Sequence, residues 1–142
     1  MVEPRSRGAA VSDGDESVNA PRILVVDDSS TMRRIIVNTL NRIGYGDIAE
    51  AEGARDALNK LSERRYDLVI TDLVMPEIDG VMLTGIIRQS PAYHDVPIIM
   101  VTGRSAVADI VAAVKAGVSS YVIKPFTTDV LKEKIDRALA GL

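Results

Sequence analysis

Five short apolar runs alternate with five segments of helical apolar spacing, and this alternation restricts the fold more than any other feature. The runs lie at residues 23–26, 47–51, 67–71, 97–101 and 121–123. Runs that are apolar throughout are typical of parallel strands covered on both faces. Strands that alternate with helices imply right-handed crossovers between neighbouring strands. The sequence therefore predicts a three-layer α/β domain built around one parallel sheet.

Each intervening segment has an apolar face that a helix would pack against the sheet. The first helix, capped by Ser29 or Ser30 and ended by Gly44, would use Met32, Ile35, Ile36, Leu40 and Ile43. The inward residues predicted for the second helix are Ala54, Ala57, Leu58 and Leu61. For the last helix they are Val130, Leu131, Ile135 and Leu139.

The fourth helical segment ends at Gly117 and carries valines and an isoleucine at helical spacing. These residues are Val107, Ile110, Val111 and Val114. Their exposure would be consistent with a docking site, but a buried stripe is the simpler interpretation of Val107 and Val111.

Composition excludes several classes of function. The chain has 142 residues, enough for one ordinary domain, and its net charge of −3 gives no sign of a nucleic-acid surface. It has no cysteine, which excludes disulfides, thiolate catalysis and cysteine-based zinc sites. Its single histidine, His94, precedes the fourth strand and is interpreted as a solvated loop residue.

Residues 1–21 are rich in Ser, Gly, Asp and Glu and are predicted to form a flexible N-terminal tail ahead of a domain at residues 22–142. The tail lacks the apolar stretch of a signal peptide. No apolar run in the sequence approaches the length of a membrane span. We therefore expect a cytoplasmic protein with no membrane partner.

Polar residues follow four of the five predicted strands. In open parallel sheets, ligands bind outside the carboxyl ends of the strands. That rule selects five residues for one rim of the sheet: Asp27, Asp28, Asp72, Thr102 and Lys124. Taken singly, an Asp-Asp pair is usually a helix cap and a lone lysine a surface residue, but their joint appearance is hard to obtain by accident.

The chemistry of these residues suits a metal ion and a phosphoryl group. Three neighbouring carboxylates repel one another unless a cation lies among them, and oxygen ligands without His or Cys favour Mg²⁺. Lys124 and the Thr102 hydroxyl can contact phosphoryl oxygens. Asp72, at the end of an apolar interior strand, is the best candidate for a carboxylate nucleophile that forms an acyl phosphate.

Four stretches of the sequence resemble the receiver domain of two-component response regulators, particularly the single-domain chemotaxis regulators. These stretches are VVDDSSTMRR, VITDLVMPEIDG, PIIMVTGRS and GVSSYVIKPFT, and the similarity runs over residues 22–142. The resemblance implies a flavodoxin-like (βα)5 doubly wound fold, with a five-stranded parallel sheet in the order 2-1-3-4-5. It also implies Mg²⁺ as the cofactor.

By this resemblance, Asp72 is the phosphoacceptor. Asp27, Asp28 and Asp72 would bind Mg²⁺ together with the backbone carbonyl of Val74, while Thr102 and Lys124 would contact the phosphoryl group.

The resemblance also implies a cis peptide at Lys124-Pro125 and a conformational switch formed by Thr102 and Tyr121. The alternative for Tyr121 is a half-buried strand residue whose hydroxyl lies in water.

Two departures from the family pattern bear on function. Val74 and Arg104 occupy positions that tune hydrolysis of the acyl phosphate in this family, and the apolar side chain of Val74 predicts slow self-dephosphorylation. Ala106 and Val107 stand where chemotaxis regulators of the enteric type carry a lysine pair used in docking, so the target surface is expected to differ.

The resemblance implies a histidine kinase as phosphodonor and a protein target, such as a flagellar motor switch protein. No output domain follows the receiver within the sequence, so we expect a signalling protein that acts through this partner rather than an enzyme. The face altered by phosphorylation would combine the fourth helix, fifth strand and fifth helix, with Ile110, Val114, Tyr121, Lys134 and Arg137.

We considered two alternative functions. One is a phosphorelay shuttle that passes the group to a histidine phosphotransferase. The other is a phosphatase of the haloacid dehalogenase type, which also uses an Asp nucleophile with Mg²⁺. Its nucleophile belongs to an Asp-x-Asp pair after the first strand, whereas the only such pair here, Asp13-Gly14-Asp15, lies in the tail, so we set that function aside.

Overall fold

The computed structural model describes residues 20–141, so the predicted tail lies almost entirely outside the described residues, and Asp13-Gly14-Asp15 lies wholly outside them. The strands are β1 (Arg22–Val26), β2 (Asp47–Ala51), β3 (Leu68–Thr71), β4 (Ile98–Thr102) and β5 (Ser120–Ile123). The helices are α1 (Ser30–Ile43), α2 (Ala54–Glu63), α3 (Gly80–Arg88), α4 (Val107–Ala116) and α5 (Thr128–Leu139).

All strand pairs are parallel, and the sheet order is β2-β1-β3-β4-β5. This confirms the predicted fold class and strand order. The interior strands β1, β3 and β4 are almost entirely buried, whereas the edge strands β2 and β5 have exposed positions. The edge position of β2 explains why its sequence pattern is the weakest of the five.

The sheet separates two layers of core, because successive side chains of a strand point to opposite faces. In β1, Leu24 and Val26 pack with the layer under α2 and α3, whereas Ile23 and Val25 pack with the layer under α1 and α5. Both faces of the sheet are therefore covered by helices, and a ligand can approach the sheet at the carboxyl ends of its strands.

Helix ends follow the predicted capping chemistry. The Ser29 hydroxyl, rather than that of Ser30, caps α1 by accepting a hydrogen bond from the Met32 N–H at 3.1 Å. The chain turns out of α1 at Gly44 (φ 122°) and out of α4 at Gly117 (φ 112°), conformations that glycine adopts without steric cost.

Several predicted inward residues are exposed, and these predictions were wrong. Ile35 of α1 is 45% exposed and Val130 of α5 is 43% exposed. Each precedes a fully or almost fully buried residue, Ile36 and Leu131 respectively. Neighbouring residues on a helix point about 100° apart, so a helix lying on a sheet buries only one residue of such a pair.

The predicted buried stripe on α4 is also wrong. Val107 is 75% exposed and Val111 44%, and Ala113 is the one fully buried residue of the helix. Val114, which was expected on the face altered by phosphorylation, is 60% exposed. Helix α4 contacts α3 and the edge strand β5, so one of its flanks stays open. An apolar surface therefore remains where the sequence pattern favoured core.

Among the described residues, no helix is both long and apolar enough to cross a membrane.

Candidate functional site

Three carboxylates meet at the carboxyl ends of two neighbouring strands. Asp27 and Asp28 follow β1, Asp72 follows β3, and an oxygen of each lies within 4.8 Å of an oxygen of the others. The strands are hydrogen-bonded neighbours, and the Asp72 N–H donates to the Val26 carbonyl at 3.0 Å. The parallel sheet thus brings together residues that lie 44 or more positions apart in the sequence.

Asp27 is the buried member of the cluster, with 1% exposure. Its Oδ1 accepts a hydrogen bond from the Ser29 N–H at 2.9 Å, but its Oδ2 is buried without a hydrogen-bond partner in the part of the chain that the structure describes. A buried carboxylate oxygen of this kind is costly unless a cation or donor satisfies it. The cluster therefore fits a hard divalent cation such as Mg²⁺.

Electrostatics in the cluster agree with this interpretation. Burial raises the pKa of Asp27 above its ordinary value of 3.8, and the neighbouring charges of Asp72 and Asp28 raise it further. The Ser29 N–H and the Lys124 ammonium oppose this shift in pKa without reversing it. A bound cation would oppose this shift, because its positive charge favours the ionised form of the carboxylates.

Asp72 is held at both of its carboxylate oxygens. Its Oδ1 accepts hydrogen bonds from the Leu73 N–H at 2.6 Å and the Val74 N–H at 3.4 Å. Its Oδ2 lies 3.4 Å from Lys124 Nζ, which is also 3.7 Å from Asp27 Oδ2. One ammonium group therefore spans the two carboxylates and faces the position that an anionic group on Asp72 would occupy.

Lys124 follows β5, the edge strand that β4 separates from β3. Its N–H donates to the Thr102 carbonyl at 2.8 Å, which extends the pairing of β4 and β5 by one residue. The Lys124-Pro125 peptide is cis, as predicted.

Thr102 and Tyr121 are both hydrogen-bonded to the backbone of Arg104. The Arg104 N–H donates to Thr102 Oγ1 at 3.3 Å, and the Tyr121 hydroxyl donates to the Arg104 carbonyl at 2.8 Å. Burial, followed by the charge of Asp109, raises the pKa of the Tyr121 hydroxyl. Tyr121 is half-buried, and its hydroxyl makes this hydrogen bond at an exposed position. The backbone of Arg104 thus connects the two predicted switch residues.

Other predicted residues lie near the rim or away from it. Val74 lies in the loop after β3 and is 51% exposed, so its side chain is not part of the core. His94 is exposed in the loop before β4, as predicted.

Sequence reasoning missed two features that support the cluster. Arg33 of α1 donates to the Asp27 carbonyl, but nothing in the sequence distinguished it from its neighbour Arg34. Gly80 begins α3 so close to the loop after β3 that a Cβ there would collide with the Asp72 carbonyl oxygen. A glycine eight residues after the candidate nucleophile was the only available signal for this close approach.

Comparison with known proteins agrees with this geometry. The sequence profile of the response regulator receiver domain matches residues 23–136. The chain therefore belongs to the response regulator receiver domain family, a family of signalling proteins.

Within that family, the chain is similar to CheY proteins. It is 49% identical over 119 residues to a chemotaxis protein CheY homolog of Campylobacter jejuni, covering 83% of this chain and 92% of that protein. It is 48% identical to chemotaxis protein CheY1 of Helicobacter pylori, covering 83% and 96%. Among solved structures, chemotaxis protein CheY4 of Vibrio cholerae superposes with a TM-score of 0.78 at 28% identity, covering 84% of this chain and 98% of that one.

Proposed function

We propose that this chain is a response regulator, with residues 22–142 as its receiver, that accepts a phosphoryl group from a histidine kinase on Asp72. The observation that carries the proposal is the set of three carboxylates and one ammonium group at one end of the sheet. Phosphoryl transfer depends mainly on positioning and on neutralisation of charge, and this set offers both.

Asp27, Asp28 and Asp72, with the Val74 backbone carbonyl, would hold Mg²⁺, and the ion when bound neutralises the charge that gathers around the phosphoryl group. The buried Asp27 Oδ2, which accepts no hydrogen bond among residues 20–141, supports this choice of ligands.

In the transfer itself, a carboxylate oxygen of Asp72 attacks phosphorus, a P–O bond forms and the P–N bond to the kinase imidazole breaks. The electron pair of that bond leaves with the imidazole nitrogen, which takes up a proton. The Lys124 ammonium, 3.4 Å from Asp72 Oδ2, and the Thr102 hydroxyl contact oxygens of the transferred group.

The phosphate of the acyl phosphate carries about −1.5 to −2 charges where the Asp72 carboxylate carried one, and this change shifts the protein toward a second conformation. Thr102 moves toward the phosphoryl group, and Tyr121 moves inward because the backbone of Arg104 connects the two. The changed surface is the α4-β5-α5 face, which includes Ile110, Val114, Tyr121, Lys134 and Arg137.

The target of this face is a protein. The names of the Campylobacter and Helicobacter relatives place those proteins in chemotaxis, which supports a flagellar motor switch protein as the target and a chemotaxis kinase as the donor. Such a regulator acts in the cytoplasm. The exposed valines of α4 support an apolar contact in place of the lysine pair of enteric regulators.

The test of the proposal is the intact mass after incubation with acetyl phosphate, with Mg²⁺ or with chelator. Wild type should gain a single phosphoryl group only with Mg²⁺, and Asp72→Ala should gain none. Asp95→Asn, in the exposed loop before β4, is the control and should behave as wild type. Absence of the adduct from folded wild-type protein, or its persistence in Asp72→Ala, would contradict the assignment of Asp72.

A further inference from the structure

Arg33 links three elements beside the acidic cluster. Its Nη1 donates to the Asp27 backbone carbonyl at 2.6 Å, and its Nε forms an ion pair with Glu50 Oε1 at 3.0 Å. The Arg33 side chain is only 16% exposed. A guanidinium can serve two acceptors at once because its donors are arranged in a rigid plane.

The register of the sheet places Glu50 where it meets this guanidinium. Val25 of β1 is paired with Glu50 of β2, and Val25 belongs to the core layer that α1 covers. Glu50 therefore points to the α1 side of the sheet, toward Arg33. A shift of one residue in this register would turn Glu50 to the opposite face.

The carbonyl that Arg33 holds belongs to the peptide between Asp27 and Asp28. The orientation of that peptide determines where both carboxylates point. Residues that orient the ligands of a metal commonly contribute a factor of 10–100 to its affinity. We infer that Arg33, anchored by Glu50, is a positioning residue that orients the Asp27–Asp28 peptide and so sets the affinity of the acidic cluster for a divalent cation. This inference rests on the proposed function, which supplies the metal.

Positioning and simple electrostatics predict opposite results for removal of Arg33. Arg33 is a cation beside a cation site, so if its charge alone mattered, its loss would tighten Mg²⁺ binding. If Arg33 instead orients the ligands, its loss weakens binding in spite of the charge that is removed. The sign of the change therefore separates the two effects.

The experiment is calorimetric titration of the full-length protein with Mg²⁺, without any phosphodonor. We expect the dissociation constant of Arg33→Ala to rise by about tenfold or more. The matched control is Arg34→Ala, which removes the same charge from the next residue of α1. Arg34 is exposed and has no hydrogen-bond or ion-pair partner among residues 20–141, so its loss should leave Mg²⁺ binding unchanged or slightly tighter.

Two milder variants keep the test valid should Arg33→Ala fold poorly. Arg33→Lys retains the charge but cannot reach both acceptors in the same plane, and Glu50→Gln removes the anchor. Each should weaken Mg²⁺ binding, with a circular dichroism spectrum like that of wild type. With acetyl phosphate, the variants should lose more of their phosphorylation rate at low Mg²⁺ than at saturating Mg²⁺, a difference that a general loss of stability would not produce.

Equal or tighter Mg²⁺ binding by folded Arg33→Ala or Arg33→Lys would overturn the inference and leave the proposed function standing. Absence of Mg²⁺ binding by wild type would instead overturn the proposed function, and the inference with it.

Discussion

At the scale of single residues, the acidic cluster lowers the stability of the metal-free protein. Asp27 is buried, one of its oxygens has no hydrogen-bond partner among residues 20–141, and its pKa is raised by burial. A carboxyl group whose pKa is higher in the folded than in the unfolded chain favours folding when protonated. Its contribution is fully present below the ordinary value of 3.8 and is lost as the pH rises through the folded pKa. At neutral pH without Mg²⁺, the ionised Asp27 therefore weakens the fold.

We predict that Asp27→Asn stabilises the metal-free protein at pH 7. An amide keeps the acceptor for the Ser29 N–H and removes a buried charge whose cost exceeds its attraction to Lys124, since the pKa of Asp27 is raised. The gain should be about 1 kcal/mol, or about 2–4 °C in Tm for a chain of this size. Thermal unfolding in chelator measures it, with Asp28→Asn, an exposed carboxylate, as the control that should change less. A lower Tm for Asp27→Asn would contradict this account of the cluster.

Val74 is predicted to slow the loss of phosphate. Val74 is exposed two residues after Asp72, and its apolar side chain offers no hydrogen bond that would position a water for attack on the acyl phosphate. Val74→Asn should speed dephosphorylation by about tenfold, the effect of about 1.4 kcal/mol in the barrier. The decay of the phosphorylated mass after removal of acetyl phosphate measures the rate. Val111→Asn, an exposed valine on α4, should decay as wild type does, and equal rates for all three proteins would contradict the prediction.

At the scale of elements, α3 is packed against the loop after β3 without room for a side chain at its first residue. The Gly80 N–H donates to the Leu73 carbonyl at 2.7 Å. A Cβ at Gly80 would meet the Asp72 carbonyl oxygen and approach Leu73 Cα to 2.9 Å. These are backbone atoms of Asp72 and its neighbour, so they cannot move aside without moving the proposed nucleophile Asp72.

Gly80→Ala should therefore destabilise the protein by about 1–3 kcal/mol, as overpacking does elsewhere, and slow phosphorylation by acetyl phosphate. Gly85, in the middle of the same helix, is the matched control, since a Cβ there meets nothing within 4 Å. Gly85→Ala should stabilise the protein by about 0.5–1 kcal/mol, because alanine favours a helix more than glycine. Urea unfolding of both variants checks the pair, and equal effects of the two substitutions would contradict the packing argument.

At the scale of the whole molecule, metal binding and folding are linked. The ligands come from the ends of β1 and β3, which meet only in the folded chain, so Mg²⁺ should bind the native state almost exclusively. At an Mg²⁺ concentration 100 times the dissociation constant, the free energy of unfolding should rise by about 2.7 kcal/mol.

Asp27→Asn should lose most of this increase, so the order of stability of the two proteins should reverse between chelator and saturating Mg²⁺. Urea unfolding of both proteins across an Mg²⁺ series tests the reversal. An equal gain in the two proteins would show that the ion binds elsewhere.

Much of this molecule was determined by sequence patterns alone. Continuous apolar runs specified the interior strands, and their ends marked Asp27, Asp28, Asp72, Thr102 and Lys124 for one rim. The structure brings the three carboxylates and Lys124 together, and Lys124 pairs with Thr102 through the backbone. These predictions succeeded because strand formation is local and parallel strands necessarily align their carboxyl ends.

The tertiary structure alone decided which apolar helix residues are buried and which neighbours support the site. Helical spacing could not show that α4 lies at an edge and leaves Val107 and Val114 exposed. Nor could it distinguish Arg33, which meets Glu50 through the register of β1 and β2, from Arg34. Burial and hydrogen bonding depend on groups that remote elements bring near, and a residue's own sequence neighbourhood carries no record of them.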